Sequence, residues 1–131
     1  MTSDKVSRIK LQLRYRDIDT LGHVNNAVYL SYFELGRIDF FRKFIGDFDE
    51  EKIDFVIAHA SIDFRKPIKL DDSPLLETSL KKVGNSSFTF FHRIVSEKEQ
   101  EEYCTGETVA VTVDDNGRKK AVPDQIRMLS S

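Results

Sequence analysis

The chain of 131 residues has no tryptophan and a single cysteine, Cys104. A lone cysteine forms no internal disulfide, and a reducing, cytoplasmic setting is the simplest fit. It gives no cysteine-based zinc pattern either, and His23, His59 and His92 lie too far apart in sequence to mark a metal site by spacing. A strong charge of one sign is also missing. The net charge of −2 excludes the basic balance that general nucleic-acid binding needs. No apolar run is long enough to span a membrane, and the N-terminus lacks the pattern of a secretory signal. There is no Gly-rich phosphate loop, internal repeat or low-complexity linker. What remains is one domain, residues 1–131, of a size that buries roughly two-thirds of its unfolded surface without a disulfide or metal.

Residues 7–15 alternate, with Ile9, Leu11, Leu13 and Tyr15 on one side and Arg8, Lys10, Gln12 and Arg14 on the other. That predicts a half-buried strand. From Asn26 to about Ile45 the period changes. Tyr29, Phe33, Gly36, Phe40 and Phe44 recur at steps of four and three, which predicts one long helix capped by Gly46. Gly36 in its middle predicts close approach of a strand. Residues 47–52 read as an acidic loop, and residues 55–59 fit either a strand or a turn of helix. Strands then dominate, at 60–65, 75–83, 88–95 and 103–113, with a charge run at 97–102 and a turn at Asp114-Asp115-Asn116-Gly117. A final helical turn follows Pro123. One helix and a run of antiparallel strands make an α+β pattern, in which a sheet wrapped over the helix's apolar stripe buries both. Cys104 falls in a strand and reads as a small buried hydrophobe, and His92 reads as structural.

The chemistry concentrates between Tyr15 and Tyr29. Here two carboxylates, an imidazole and two side-chain amides sit in a loop that runs straight into the helix. Gly22 lets the backbone turn sharply, and Asn25 and Asn26 offer N-cap chemistry. A helix start presents free N–H groups and partial positive charge. A carboxylate facing those donors can attack a carbonyl, or activate water against it, while the donors hold its oxygen. Asp19 is the candidate carboxylate, and the backbone N–H of Asn26 the candidate oxyanion donor. Asp17 reads as support, holding Arg14 or Arg16. His23 is open to general-base, positioning or structural roles. Glu34 and Arg37 read as an intrahelical ion pair at i,i+3, with Glu34 as a second catalytic carboxylate the sharper alternative.

The pattern Asp17-Ile18-Asp19, Gly22-His23-Val24-Asn25-Asn26, Tyr29, Tyr32-Phe33-Glu34 and Arg37 resembles the signature of the hotdog-fold acyl thioesterases, in their 4-hydroxybenzoyl-CoA thioesterase-like branch. Weaker matches follow at Asp63-Phe64-Arg65-Lys66-Pro67-Ile68 and Val83-Gly84-Asn85-Ser86-Ser87-Phe88. The resemblance implies a hotdog fold, an antiparallel sheet wrapped around one long central helix. It implies hydrolysis of acyl-CoA with Asp19 as nucleophile or general base. It also implies a substrate site built from Gly22, His23, Val24, Asn25, Tyr29, Tyr32 and Phe33, with no metal or redox cofactor. The chain departs from relatives that carry basic residues before the Ser-Phe pair, having Gly84, Asn85 and Ser86 there. It departs from plant acyl-carrier-protein thioesterases at Leu21, where they carry an Asn.

A coenzyme A substrate carries phosphates, so a net-negative protein must meet it with local positive charge. Lys81 and Lys82 are the candidates taken forward; Arg65-Lys66-Lys69 and Arg118-Lys119-Lys120 are further basic clusters. Unpaired edge strands and an open apolar cleft predict a homo-oligomer, a dimer or tetramer, with the site at a subunit interface. Two readings of other kinds stay open: a non-catalytic acyl-thioester binding protein, and a hotdog enzyme acting as acyl-carrier-protein thioesterase or dehydratase.

Overall fold

The computed structural model describes residues 5–46, 54–98 and 101–130. Five strands form one antiparallel sheet: β1 (Val6–Lys10), β2 (Phe55–Phe64), β3 (Pro74–Val83), β4 (Ser87–Ser96) and β5 (Glu102–Thr112). Their order across the sheet is β1-β3-β4-β5-β2, so β1 and β2 are its edges. The helix α1 (Tyr29–Phe44) packs over β1, β3 and β4. A short α2 (Asp124–Arg127) closes the C-terminal end. The predicted acidic loop at 47–52 and part of the charge run at 97–102 lie outside the described residues.

The helix stripe read from the sequence faces the sheet. Tyr29, Phe33, Gly36 and Phe40 are buried, joined by Tyr32, Arg37 and Phe41. The helix spans 16 residues, about 24 Å. A 3₁₀ turn at Asn26–Val28 precedes it, and Gly46 follows it at φ +86°. Its N-terminal half joins Leu11, Ile68, Leu76, Ile94 and Cys104 in one apolar cluster. Its C-terminal half joins Leu80, Phe88, Phe90, Ala110 and Ile126 in another. Between them lies a polar row: His92 is held by Thr78 at 3.2 Å and Thr108 at 2.9 Å and stacks on Phe33 with ring centroids 4.3 Å apart. Burial, with the Arg37 charge, pushes His92 down to about 3, so it is neutral at ordinary pH. Burial pushes the Cys104 thiol up to about 12, so it is no nucleophile.

Two departures from the alternation have physical causes. The first strand ends at Lys10 instead of continuing to residue 15, and Tyr15 is 86% exposed. Pairing with β3 is spent once the Leu11 N–H reaches the Pro74 carbonyl, and the chain then bends into a 3₁₀ turn at Tyr15–Asp17. Residues 55–65 are a single strand to Phe64, and a bulge between Ile57 and His59 shifts its phase. The extra residue breaks strict alternation, which is why the sequence read there as two pieces.

The outer face of the sheet carries an ion-pair ladder across four strands, ending on a residue just past the fifth. Arg8 meets Glu77 at 2.9 Å, Glu77 meets Arg93 at 2.7 Å, Arg93 meets Glu102 at 2.7 Å, and Glu102 meets Arg65 just past β2 at 2.9 Å.

Gly36 sits where the helix comes nearest the sheet. A Cβ there would collide with Thr78 Oγ1 and lie 2.9 Å from Leu76 Cδ2. Alanine is the better helix former by about 1 kcal/mol, so propensity alone favours Gly36→Ala. Overpacking of this kind costs about 1–3 kcal/mol and outweighs it. Gly36→Ala is therefore expected to unfold at lower urea concentration than the parent chain, and an unchanged or higher midpoint contradicts this packing.

Candidate active site

The loop between β1 and α1 is a short finger held by its own backbone. The Asn25 N–H donates to the Asp17 carbonyl at 2.8 Å, and Ile18 bridges Val24. At the tip, the Asp19 N–H donates to the His23 carbonyl at 2.8 Å and the Gly22 N–H returns to the Asp19 carbonyl at 3.1 Å. Gly22 adopts φ +81°, the left-handed region that a tight turn requires. The finger is tied to the chain ahead of β3: the Val24 N–H donates to the Ile68 carbonyl at 2.7 Å, and His23 bridges Lys69.

The two carboxylates of the finger are treated differently. Asp17 is 2% exposed. Its Oδ2 accepts from the Arg14 N–H at 3.1 Å and the Tyr32 hydroxyl at 2.9 Å, and its Oδ1 accepts from the Arg14 guanidinium at 3.3 Å. Burial alone raises its pKa, but these hydrogen bonds outweigh it and hold the carboxyl below the usual range. The supporting role read for Asp17 from the sequence fits this geometry, with Arg14 as the partner. Asp19 is exposed. Its Oδ1 accepts the backbone N–H groups of Leu21 at 2.9 Å and His23 at 3.2 Å. Among the described residues its Oδ2 has no hydrogen-bond partner.

The finger leads directly into the helix start. The Asn25 side chain caps the 3₁₀ turn by accepting the Ala27 N–H at 3.0 Å. Asn26 opens that turn, so its N–H has no partner within the helix, and none of the loop hydrogen bonds uses it. The double asparagine thus divides its work, a side-chain cap at Asn25 and a free backbone donor at Asn26.

The other sequence candidates fall into three places. Val24, Tyr29, Tyr32 and Phe33 are in the core, with Tyr29 edge-on to Phe64 at 5.0 Å. Burial raises the Tyr29 hydroxyl to about 12. Tyr32 is raised by burial and by its bond to Asp17. All three rings are buried, and the Tyr32 hydroxyl supports the finger through Asp17. Lys81 and Lys82 are not brought to the finger. They lie about 23 Å along β3 from Pro74, and Lys81 is engaged with Glu107 at 2.9 Å. The Glu34–Arg37 pair expected along the helix does not form as a contact: the Arg37 Nε has no hydrogen-bond partner, and Glu34 acts on Arg37 only through its charge. Among the described residues, no cluster of His, Cys, Asp and Glu is placed to hold a metal ion.

The sequence reading missed the groove beside β2. Contacts between Tyr29 and Phe64 and between Phe41 and Phe55 fasten the ends of β2 to the helix. The middle of β2 stands clear, leaving a cavity of about 210 Å³ lined by Leu30, Glu34 and Arg37 of α1, Ile57 and Ala60 of β2, and Thr108. The signal was present as a second helical stripe at residues 30, 34 and 37, flanking the aromatic one.

The model of the family described as the thioesterase-like superfamily matches residues 13–128, taking in the finger, the helix and strands β2 to β5. The chain belongs to the thioesterase-like superfamily. Its sheet around a helix is the hotdog fold. A thioesterase from Thermus thermophilus, solved in complex with coenzyme A and zinc, superposes with a TM-score of 0.82 at 37% identity over 93% of this chain and 94% of that one. The acyl-CoA thioesterase YbgC of Haemophilus influenzae is 30% identical over 65% of this chain and 65% of its own length. The chloroplastic acyl-acyl carrier protein thioesterase ATL3 of Arabidopsis thaliana is 26% identical over 91% of this chain. The chain spans 64% of that plant protein's length. No helix among the described residues of this family member is long and apolar enough to cross a membrane.

The depressed Asp17 pKa fixes a pH dependence. A carboxyl lower in the folded chain than in the unfolded chain, near 3.8, stabilises fully above that value and loses the contribution as pH falls through the folded value. Asp17→Asn is expected to cost about 1–3 kcal/mol at pH 7, by setting an amide against donors. The gap to the parent chain should narrow below about pH 4 in denaturation curves. A gap independent of pH contradicts the assignment of Asp17 as a buried, ionised anchor.

Proposed function

We propose that this chain, as a single domain over residues 1–131, hydrolyses an acyl thioester, with acyl-CoA as substrate and Asp19 as the catalytic group. The observation that carries this reading is the contrast within the finger. Asp17 is buried and saturated, whereas Asp19 is fixed by one oxygen and leaves the other to solvent, on a loop that ends in an unspent helix N–H. The names of the relatives support the substrate class.

The Asp19 carboxylate attacks the thioester carbonyl carbon, or takes a proton from a water that does. The carbonyl oxygen gains the negative charge and accepts a hydrogen bond from the Asn26 N–H. One such donor contributes about 3–4 kcal/mol. The C–S bond breaks as the tetrahedral centre collapses, and coenzyme A leaves as thiolate and takes up a proton. Where water attacks, the free acid forms in that step; where Asp19 attacks, the acyl–Asp19 anhydride that results is cleaved by a water, which releases the acid and restores the carboxylate. Gly22 and His23 at the exposed tip contact the pantetheine arm, while Val24 and Asn25 fix the finger beneath them. Tyr29, Tyr32 and Phe33 back the acyl site from the core, and the groove of Leu30 and Ile57 takes the acyl group itself.

The site is completed by a second copy in a cytoplasmic homo-oligomer. The long β2 edge has Val56 at 52% and Ile57 at 39% exposure, and an edge of that kind invites pairing. Antiparallel pairing of β2 with its copy brings the far end of one subunit's sheet, with Lys81 and Lys82, to the side of the other's finger. There they meet the nucleotide phosphates. A carrier-protein thioester is the second reading, favoured by the plant relative.

Asp19→Asn is expected to fold normally, bind acyl-CoA and lose at least ~100-fold in kcat. Free-thiol release from a panel of acyl-CoA and acyl-carrier-protein thioesters measures this and ranks the two carriers. A folded Asp19→Asn chain with parental turnover removes the catalytic claim. Sedimentation at micromolar concentration is expected to give a dimer or a larger even assembly, and an active, stable monomer would sink the interface site.

A further inference from the structure

Arg37 is 7% exposed, and its Nε has no hydrogen-bond partner among the described residues. Burial lowers its pKa and the Glu34 charge raises it, yet a guanidinium stays protonated throughout. A charge buried to this extent is costly unless an acceptor meets it. The polar groups around it do not serve. Glu34 is exposed and acts on it only through its charge. His92 is neutral, and its two ring nitrogens are engaged with the Thr78 and Thr108 hydroxyls. Ser31 is exposed and carries no charge.

The same side chain lines the cavity beside β2. The lining is therefore of two kinds. Leu30, Ile57 and Ala60 suit a hydrocarbon chain, whereas Arg37 suits an anion. Along α1, Leu30 is the lining residue nearest the helix start and Arg37 the one farthest from it. From Asn26 to Arg37 the backbone runs through the 3₁₀ turn and about two turns of helix, roughly 18 Å along the axis. Helical side chains lean toward the N-terminus, which brings a long one back by about one turn, ~5 Å. An extended chain of about eight carbons covers most of the remainder. A carboxylate at the end of such a chain is the matching acceptor. Its two oxygens suit the fork of N–H donors, and its charge cancels one that the fold leaves buried. A hydroxyl or keto oxygen satisfies a donor and leaves the charge.

We infer that the groove beside β2 takes an acyl group whose far end carries a carboxylate, and that Arg37 is the residue that selects it. The substrate class is then the ω-carboxyacyl thioester, a dicarboxylic acid joined to coenzyme A through one end. This rests on the hydrolysis proposed above and leaves its chemistry unchanged. The thioester C–S bond breaks, water supplies a hydroxyl to the acyl carbon and a proton to the thiolate, and the distal carboxylate stays intact. A short dicarboxylic acyl group does not reach Arg37, and a plain alkyl chain of any length leaves the guanidinium unmet.

Substrate comparison within one preparation tests this. Free-thiol release by the parent chain is measured with straight-chain acyl-CoAs of graded length, each in plain, ω-carboxy and ω-hydroxy form. At about eight carbons, kcat/KM for the ω-carboxy form is expected to exceed that for the plain form by at least ~30-fold, as for a hydrogen bond to a charged group. The advantage is expected to vanish for the shortest chains. Arg37→Met is expected to bring the ratio of ω-carboxy to plain substrate to about unity or below, and Arg37→Lys to restore part of it. Both rates come from the same sample, so a smaller folded fraction cancels in the ratio. If Arg37→Met does not fold, Ala60→Glu answers from an exposed position in the same groove. It offers Arg37 a carboxylate from its own chain and is expected to erase the preference. A parent chain that turns over plain substrate as well as the ω-carboxy form overturns the selection, and an ω-hydroxy preference overturns the charge match. A preference that survives Arg37→Met, or Ala60→Glu in its place, overturns the role of Arg37. A parent chain that releases no thiol from any member of the panel removes the hydrolase reading and this inference with it. Turnover of plain chains alone removes only this inference.

Discussion

The buried carboxylate of Asp17 is the interaction on which the site depends. It gathers the backbone and guanidinium of Arg14 and the hydroxyl of Tyr32, while its carbonyl takes the Asn25 N–H. One residue thus ties the segment after β1, the root of the finger and the first turn of α1 together. The acceptor in each of these bonds is an ionised carboxylate, which strengthens them. The reach of Asp19 and the aim of the Asn26 N–H follow from that anchor. Two neighbouring aspartates in one loop differ in role because one is surrounded by donors from separate elements and the other by two from its own turn.

The second constraint is the imbalance of the sheet. The helix packs over β1, β3 and β4, and ring contacts join it to β2 near the strand's two ends. An outer face laced with ion pairs is content in water, but the middle of β2 exposes apolar side chains and unpaired backbone. Among the described residues, the fold thereby concentrates an open edge, a groove and an Arg37 Nε without a hydrogen-bond partner on one side. The proposed acyl groove and the proposed subunit contact both use that side.

Much of the fold was legible because it rests on local periodicity. The aromatic stripe from Tyr29 to Phe44 faces the sheet as read, Gly36 marks the close approach, and Asp114 to Gly117 turns as expected, with Gly117 at φ +77°. The strand at 7–15 was overextended because alternation continues past the point where the partner strand ends. The split of β2 came from a bulge, which disturbs a two-residue period without any residue type to announce it. In the finger, the turn at Gly22 and the cap at Asn25 were legible because turn and cap chemistry act over four or five residues.

The sequence by itself determined the helix, the strand-rich remainder, the turn at Gly22, the cap at Asn25 and the two carboxylates set before a helix start. Each follows from steric and hydrogen-bonding preferences of neighbours along the chain. The tertiary structure alone decided which carboxylate is buried, since the donors around Asp17 include Tyr32, a full helix turn beyond the finger. It alone sent Tyr32 to the core, left the Arg37 Nε without a hydrogen-bond partner among the described residues, and set Lys81 and Lys82 far from the finger. Burial and distance depend on which elements pack together, and packing is a property of the whole sheet around its helix that no short stretch of sequence contains.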